Sequence, residues 1–159
     1  MSEKTFVRTA LVVGSPEHVH RTFVRAIWRD GGFPYALQWA TKPKILIEAS
    51  NEAGTGCKRR VPFSIEEEIT TAELGKRIVY HIPRKSVLSV IKHLAEVTFE
   101  EAGATPMVTK VVWTITYTPK PYLNWMALSF FYWIGLFLHQ LQIESKRDWL
   151  AKGKEVPNT

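Results

Sequence analysis

Residues 90–118 read VIKHLAEVTFEEAGATPMVTKVVWTITYT, and the spacing of apolar side chains in this stretch decides the fold class. The period is two from Val90 to Glu100 and again from Met107 to Thr118, which is typical of β-strands with one buried face. The segment between them contains Gly103 and Pro106, which are turn residues. We therefore predict two adjacent antiparallel strands joined by a short turn.

The chain that follows Pro121 no longer has a period of two. Residues 122–152 contain no proline and one glycine, and no charged residue occurs between Pro121 and Ile143. Its length predicts one long helix, about 122–152. A bilayer span needs roughly 20 apolar residues, whereas polar side chains interrupt this stretch, so we favour a helix packed on a sheet over a membrane span.

Upstream of residue 90 the pattern predicts a strand, two short helices and four further strands. The first strand is Phe6–Val13, and Ser15, Pro16 and Glu17 are suited to start a helix. A second short helix or turn is expected at 33–39. A period of two returns at Lys44, where Ile45, Ile47 and Ala49 share one face. Further strands are expected at 57–63, 64–71 and 76–82.

Consecutive strands with short connections predict an antiparallel meander and not a parallel sheet. The expected fold is α+β: a single domain over residues 1–159, in which a curved antiparallel sheet of about six or seven strands wraps around the long C-terminal helix. A sheet gripping a helix in this way leaves a cavity between them. Aromatic residues make up 12% of the chain, including six Trp, and they are candidates to line that cavity.

The composition excludes several classes of protein. The net charge is +6, but the basic residues are scattered and only Lys58–Arg60 is dense, so we favour a solvated basic surface over nucleic-acid binding. The single cysteine, Cys57, cannot form an intramolecular disulfide. No apolar signal-peptide core follows Met1, so we expect a cytoplasmic protein.

The order of elements and several local motifs resemble the START-like helix-grip superfamily, especially its polyketide cyclase/dehydrase branch. The similar stretches are SPEHV at 15–19, GTGCKRR at 54–60, EEI at 67–69, YHI at 80–82, HLAEVTF at 93–99, TKVVW at 109–113 and YTP at 117–119. The resemblance spans nearly the whole chain. It implies a helix-grip fold that binds a hydrophobic small molecule.

The superfamily includes aromatase/cyclases, dehydratases, isomerases, lipid carriers and ligand binders, so the resemblance leaves enzymatic activity open. The leading hypothesis is a cavity for a hydrophobic, partly oxygenated molecule of polyketide or terpenoid type. Cyclisation, dehydration or isomerisation would then proceed without a cofactor. The alternatives are a non-catalytic lipid carrier or sensor, and a membrane-associated interaction module.

His93 and Glu67 are the candidate catalytic residues. Strand phase places His93 with Val97 and Phe99, as an ionisable group among apolar walls, and imidazole exchanges protons near neutral pH. Glu67 shares the phase of Ile65 and Ile69. A histidine hydrogen-bonded at the sheet rim is the structural alternative for His93.

Arg59 and Glu67 are equally far from a turn centred near Phe63, so we expect them to be cross-strand neighbours. Such a pair either orients a ligand oxygen or serves as a structural ion pair. The other candidate ligand-binding residues are inward-phase strand residues and rings of the long helix: Tyr80, Val97, Phe99, Trp113, Ile115, Tyr117, Trp125, Phe130, Trp133 and Phe137.

Rings occur nearly all round the long helix, so they must cover a ligand, a dimer partner or a membrane surface. We favour a ligand and core role, with a homodimer or membrane contact as the alternative. No metal site is expected, because His18 and His20 are two residues apart on a helix and do not face the same way.

Overall fold

The structure, a computed structural model, describes residues 2–31, 38–83, 92–103, 107–118 and 124–155. Its strands are β1 (Lys4–Val13), β2 (Lys44–Ile47), β3 (Lys58–Val61), β4 (Ile65–Glu73), β5 (Arg77–His81), β6 (Lys92–Glu101) and β7 (Val108–Thr118). Its helices are α1 (Pro16–Thr22), which continues as a π-helical segment (Phe23–Arg29), α2 (Gln38–Thr41) and α3 (Asn124–Ala151). Within α3, side chains are described from Tyr132 onward.

All seven strands form one antiparallel sheet in the order β1-β7-β6-β5-β4-β3-β2. The predicted β6–β7 pairing is confirmed, with His93 opposite Tyr117 and Val97 opposite Trp113. The order brings the first and last strands together, so β2 and β1 are the two edges of the sheet. The α+β helix-grip prediction is confirmed. A second short helix or turn was predicted at 33–39, and its last two residues belong to α2. Residues 32–37 lie outside the described residues.

The start of α1 follows from its sequence. The Ser15 side chain accepts a hydrogen bond from the backbone N–H of His18 at 3.4 Å, and Pro16 occupies the first turn, where no backbone donor is required. Before the cap, Gly14 has φ +126°. A Cβ there would lie 2.4 Å from the His18 ring, so this connection requires glycine.

The prediction for β2 is wrong at one position. Ile45 and Ala49 pack against the core, but Ile47 is 54% exposed. The register between β2 and β3 shifts between Ile45 and Ile47. Such an irregularity turns the side chain that follows it to the other face, and a strict period of two cannot anticipate that.

The C-terminal half of α3 is fastened to the edge strand and to the first helix by hydrogen bonds. Gln142 Nε2 donates to the carbonyl of Leu11 at 2.9 Å, and Ser145 Oγ donates to that of Val13 at 2.6 Å. Gln140 Nε2 donates to the carbonyl of Ala26 at 3.3 Å. The helix thereby covers backbone acceptors of β1 that an open sheet edge would leave unpaired.

Candidate ligand-binding site

The concave face of the sheet carries the residues that strand phase predicted. On β6 and β7, the inward positions are buried from Ala95 to Phe99 and from Thr109 to Tyr117, and the intervening residues are more exposed. Leu94, on the opposite phase, is 51% exposed. The floor of the candidate site is therefore apolar and aromatic, and it includes these predicted residues: Tyr80, Val97, Phe99, Trp113, Ile115 and Tyr117.

Trp113 lies at the centre of an aromatic cluster. Its ring meets Phe23 edge-on at a centroid distance of 5.2 Å and stacks with Phe137 of α3 at 6.3 Å. Its indole Nε1 donates a hydrogen bond to the Tyr80 hydroxyl at 3.1 Å. The three contacts come from the π-helical segment, α3 and β5, so Trp113 connects three elements that surround the site.

The helix contributes a wall that is described only in part. Trp133 lies 6.4 Å from Phe137 and is 38% exposed, so it stands at the rim of the site, whereas Phe137 is half-buried. The predicted ligand contacts Trp125 and Phe130 lie in α3, but their side chains are outside the described residues.

Arg59 and Glu67 face each other in the β3–β4 register, as the turn at Phe63 predicts. Arg59 Nε donates to Glu67 Oε2 at 2.7 Å, and Arg59 Nη1 donates to the carbonyls of Ile27 and Trp28 at 2.9 and 2.7 Å. The guanidinium also stacks 4.0 Å above the Trp28 ring. Arg59 therefore ties the end of the π-helical segment to the sheet.

His93 extends from β6 into the concave face, 5.8 Å from the Tyr80 ring. Burial lowers its pKa below the ordinary value of 6.5, while the charge of Glu67 acts in the opposite direction. Its Nδ1 atom is buried and has no hydrogen-bond partner among the described residues. The backbone of His93 itself also raises the pKa of the ring, but it is not placed to form a hydrogen bond with Nδ1. At neutral pH the ring is therefore uncharged and has an unused buried nitrogen.

The two tyrosines of the floor differ. Burial raises the pKa of Tyr80 far above its ordinary value, and its hydroxyl accepts from Trp113. Burial also raises the pKa of Tyr117, whose ring stacks on Phe6 at 5.4 Å. The Tyr117 hydroxyl is buried and has no hydrogen-bond partner within the described chain.

The other end of the floor is filled by protein. The Phe99 ring packs at a tilt against the His20 ring, with centroids 4.8 Å apart, and meets Phe23 edge-on at 6.0 Å. His20 is fully buried, with Nε2 bonded to the carbonyl of Ala53 at 2.8 Å. We name this region, with Thr109 and Gly75, the hairpin end, and the region of Tyr80, His93 and Tyr117 the His93 end.

Sequence reasoning missed several residues of the walls. Phe23 and Trp28 enter from the π-helical segment, where helical spacing indicates burial but not the element against which the residues pack. Arg8 lies on β1 opposite Trp113, on the inward phase of Phe6 and Ala10. The phase of β1 was readable, because the inward side chains Phe6, Ala10 and Val12 alternate with Thr5, Thr9 and Leu11.

Among the described residues, no helix is long and apolar enough to cross a membrane. Within the same residues, no three His, Cys, Asp or Glu side chains are grouped as metal ligands would be. Cys57 is buried, and burial raises its pKa. In the part of the chain that the structure describes, the candidate site consists of aromatic walls, one neutral histidine, two tyrosines and a buried ion pair.

No protein-family model and no curated protein matches the sequence. Solved structures match nearly the whole chain. A point mutant of norcoclaurine synthase from Thalictrum flavum, in complex with a transition-state analogue, has a TM-score of 0.67 at 11% identity, covering 92% of this chain and 96% of that chain. Another structure of that synthase holds dopamine and hydroxybenzaldehyde.

The protein Ara h 8.0201 has a TM-score of 0.63 at 14% identity, covering 92% of this chain and 99% of that chain. The protein XoxI from Bacillus cereus has a TM-score of 0.56 at 23% identity, covering 89% and 94%. The TM-scores show the fold, and at these low identities the polyketide cyclase branch stays a prediction. The chain has the START-like helix-grip fold.

Proposed function

We propose that the protein binds a hydrophobic, partly oxygenated small molecule of polyketide or terpenoid type between the concave face and α3, in the cytoplasm. The observation that carries this proposal is the His93 end, where aromatic walls surround two buried polar atoms that have no hydrogen-bond partner in the described part of the chain. Ligand sites in proteins are mostly apolar, with a few polar groups that orient the ligand. A buried polar atom without a partner is costly, so a ligand atom that bonded to it would gain affinity.

His93 is the proposed acid/base of a cofactor-free cyclisation, dehydration or isomerisation. Its lowered pKa keeps the imidazole neutral at pH 7, in the form that accepts a proton. His93 would remove a proton from the carbon next to a ligand carbonyl and return it to another atom of the same ligand, which isomerises the ligand without a cofactor. The walls would contribute by holding a flexible substrate in reactive geometry.

Glu67 and Arg59 are proposed to support His93 and not to exchange protons with the ligand themselves. Glu67 is held by Arg59, and its charge favours the protonated form of His93. Glu67 would therefore stabilise the imidazolium that forms during proton transfer. The donors of Arg59 contact Glu67 and two backbone carbonyls, so we propose that Arg59 positions Glu67.

Structures with the same fold support the catalytic form of the proposal. Norcoclaurine synthase has been solved with a transition-state analogue, and with dopamine and hydroxybenzaldehyde, which are small oxygenated aromatic molecules. At about 11% identity this likeness concerns the fold, and the chemistry must be tested on this chain.

Native mass spectrometry of freshly purified protein tests the proposal, because a co-purifying molecule would reveal its chemical class. The second measurement is binding of the neutral fluorescent probe N-phenyl-1-naphthylamine. We expect Trp113→Ala to weaken probe binding more than it disrupts the secondary structure. Leu94→Ala, on the exposed face of β6, is the matched control. Unchanged affinity in a folded Trp113→Ala protein would contradict this location of the site.

A non-catalytic carrier or sensor is the second candidate. The observation that favours it is the ion pair of Glu67 with Arg59 at 2.6 Å. Because Arg59 engages Glu67, the Glu67 carboxylate does not contact His93 directly, as the partner of a catalytic acid/base often does. A carrier would release the co-purified molecule unchanged after prolonged incubation, whereas an enzyme would convert it.

A further inference from the structure

The two atoms of the His93 end that lack a hydrogen-bond partner among the described residues belong to facing positions on neighbouring strands. His93 on β6 is the register partner of Tyr117 on β7, and both side chains enter the concave face. The buried atoms are His93 Nδ1 and the Tyr117 hydroxyl oxygen. Buried polar atoms in native proteins nearly always have a partner, so two of them at one level of the sheet require an explanation.

The two rings have neighbours on opposite sides. His93 lies against Tyr80 of β5, on one side of its strand, and Tyr117 stacks on Phe6 of β1, on the other side. Neighbouring strands are about 4.8 Å apart, so partners on these outer sides would lie more than one strand spacing from each other. These contacts favour a separate ligand oxygen for each of the two atoms.

Both groups are neutral near pH 7. Burial lowers the pKa of His93 and raises that of Tyr117. A neutral imidazole and a phenol can each donate or accept a hydrogen bond. Neither supplies the positive charge that offsets the cost of burying a carboxylate.

We infer that the ligand carries two uncharged oxygen groups, hydroxyl or carbonyl, separated by more than one strand spacing on a flat apolar body, and that one bonds to His93 Nδ1 and the other to the Tyr117 hydroxyl. This inference rests on the proposed function and names the substrate class of that site. It assigns a hydrogen-bonding role to Tyr117 and a second oxygen to the ligand.

Four probes of similar size test the inference: naphthalene, 2-naphthol, 2,6-dihydroxynaphthalene and 2-naphthoate, titrated against wild-type protein by tryptophan fluorescence. A neutral hydrogen bond is worth about a 3–10-fold gain in affinity. We expect 2-naphthol to bind more tightly than naphthalene by one such factor and the diol by two, with 2-naphthoate weaker than 2-naphthol.

Variants assign each gain to one residue. Tyr117→Phe and His93→Leu should each remove one factor for the diol and leave naphthalene binding unchanged. Tyr132→Phe is the matched control, because Tyr132 is 74% exposed. Equal affinity for the three uncharged probes would retain the apolar site and overturn the two-oxygen inference. Tightest binding of 2-naphthoate would overturn it in favour of a carboxylate ligand near Arg8. Failure of every probe to bind would overturn the proposed function together with the inference.

Discussion

The two ends of the concave face both bury a histidine and a hydroxyl group, but they satisfy them differently. At the hairpin end, His20 Nε2 bonds to the Ala53 carbonyl, and Nδ1 accepts from the Gly75 N–H at 3.2 Å. Thr109 Oγ1 donates to the Gly14 carbonyl at 2.8 Å. At the His93 end, the corresponding atoms of His93 and Tyr117 have no partner among the described residues.

This difference separates a structural histidine from a candidate functional one on the same fold. Backbone groups on both sides of His20 fix its tautomer, with the proton on Nε2, and hold α1 against two loops. No such pair of contacts fixes the His93 ring, which keeps a buried nitrogen available. Burial alone does not distinguish the two residues, because it lowers the pKa of both. They differ in whether their buried ring nitrogens have hydrogen-bond partners among the described residues.

The largest effect is expected from removing proton transfer at the His93 end. If the protein turns over its ligand, His93→Gln should lower turnover by about 10²–10⁴-fold, the usual contribution of a positioned acid or base. Ligand affinity should change far less, because Gln keeps polarity and much of the volume.

His139→Gln is the matched control for that measurement. His139 is exposed on α3 and lies outside the His93 end. The turnover of this variant should equal that of the wild type. Unchanged turnover in His93→Gln would remove His93 from the mechanism, and absence of turnover in the parent protein would favour the carrier.

The next largest effect concerns the ion pair beside the His93 end. Arg59→Met should lower the free energy of unfolding by about 3–5 kcal/mol, because it leaves a mostly buried Glu67 charge and two backbone carbonyls without their donor. The neighbouring Arg60 makes an exposed pair with Glu66 at 2.7 Å, so Arg60→Met should destabilise the protein far less than Arg59→Met. Urea unfolding measures both, and similar small losses would indicate that Arg59 does not hold the π-helical segment.

A third prediction compares the two histidines directly. His20→Leu leaves the Ala53 carbonyl and the Gly75 N–H unpaired in the core, so we expect a loss of about 2–4 kcal/mol. His93→Leu removes a buried nitrogen that has no partner, so its cost should be about 1 kcal/mol or less. Equal destabilisation by the two substitutions would show that hydrogen-bond satisfaction does not distinguish the ends.

Much of the His93 end was predictable from the sequence because strand phase is local. A period of two placed His93, Tyr117 and Trp113 inward, and equal distances from one turn paired Arg59 with Glu67. The predicted ligand contacts Val97, Ile115 and Tyr80 are buried on the same face. Each of these predictions required only alternation and the position of a turn.

Features that depend on distant segments were not predictable in this way. The partners of His20 are backbone groups of two remote loops, at Ala53 and Gly75, and no local pattern indicates them. The exposure of Ile47 depends on an irregularity in the β2–β3 register. The bonds from Arg59 to the carbonyls of Ile27 and Trp28 depend on where the π-helical segment ends, because the last carbonyls of a helix have no partner within it.

The smallest expected effect is a dependence of stability on pH to which His18, on α1, and His93 contribute. Burial lowers the pKa of His18 below 6.5, and Lys152 and Lys154 lower it further, against the Ser145 carbonyl and Asp148. His18 Nε2 lies 3.2 Å from that carbonyl, and Nδ1 lies 3.2 Å from Lys152 Nζ. The pKa of His93 is likewise lowered, by burial first and by His81.

Each lowered pKa means that the unfolded chain binds a proton more readily than the folded chain does. Stability is therefore full above the unfolded value of 6.5 and falls as the pH decreases from there towards the folded values. The slope is at most about 1.4 kcal/mol per pH unit for each histidine.

We expect urea unfolding between about pH 7.5 and 5.5 to show this fall in stability. His18→Gln and His93→Gln, which do not titrate, should each reduce the slope, and the double variant should reduce it further. A wild-type stability that stayed constant across this window would contradict the neutral, buried state inferred for both histidines. A slope reduced only by His18→Gln would mean that His93 titrates freely and that the His93 end is open to water.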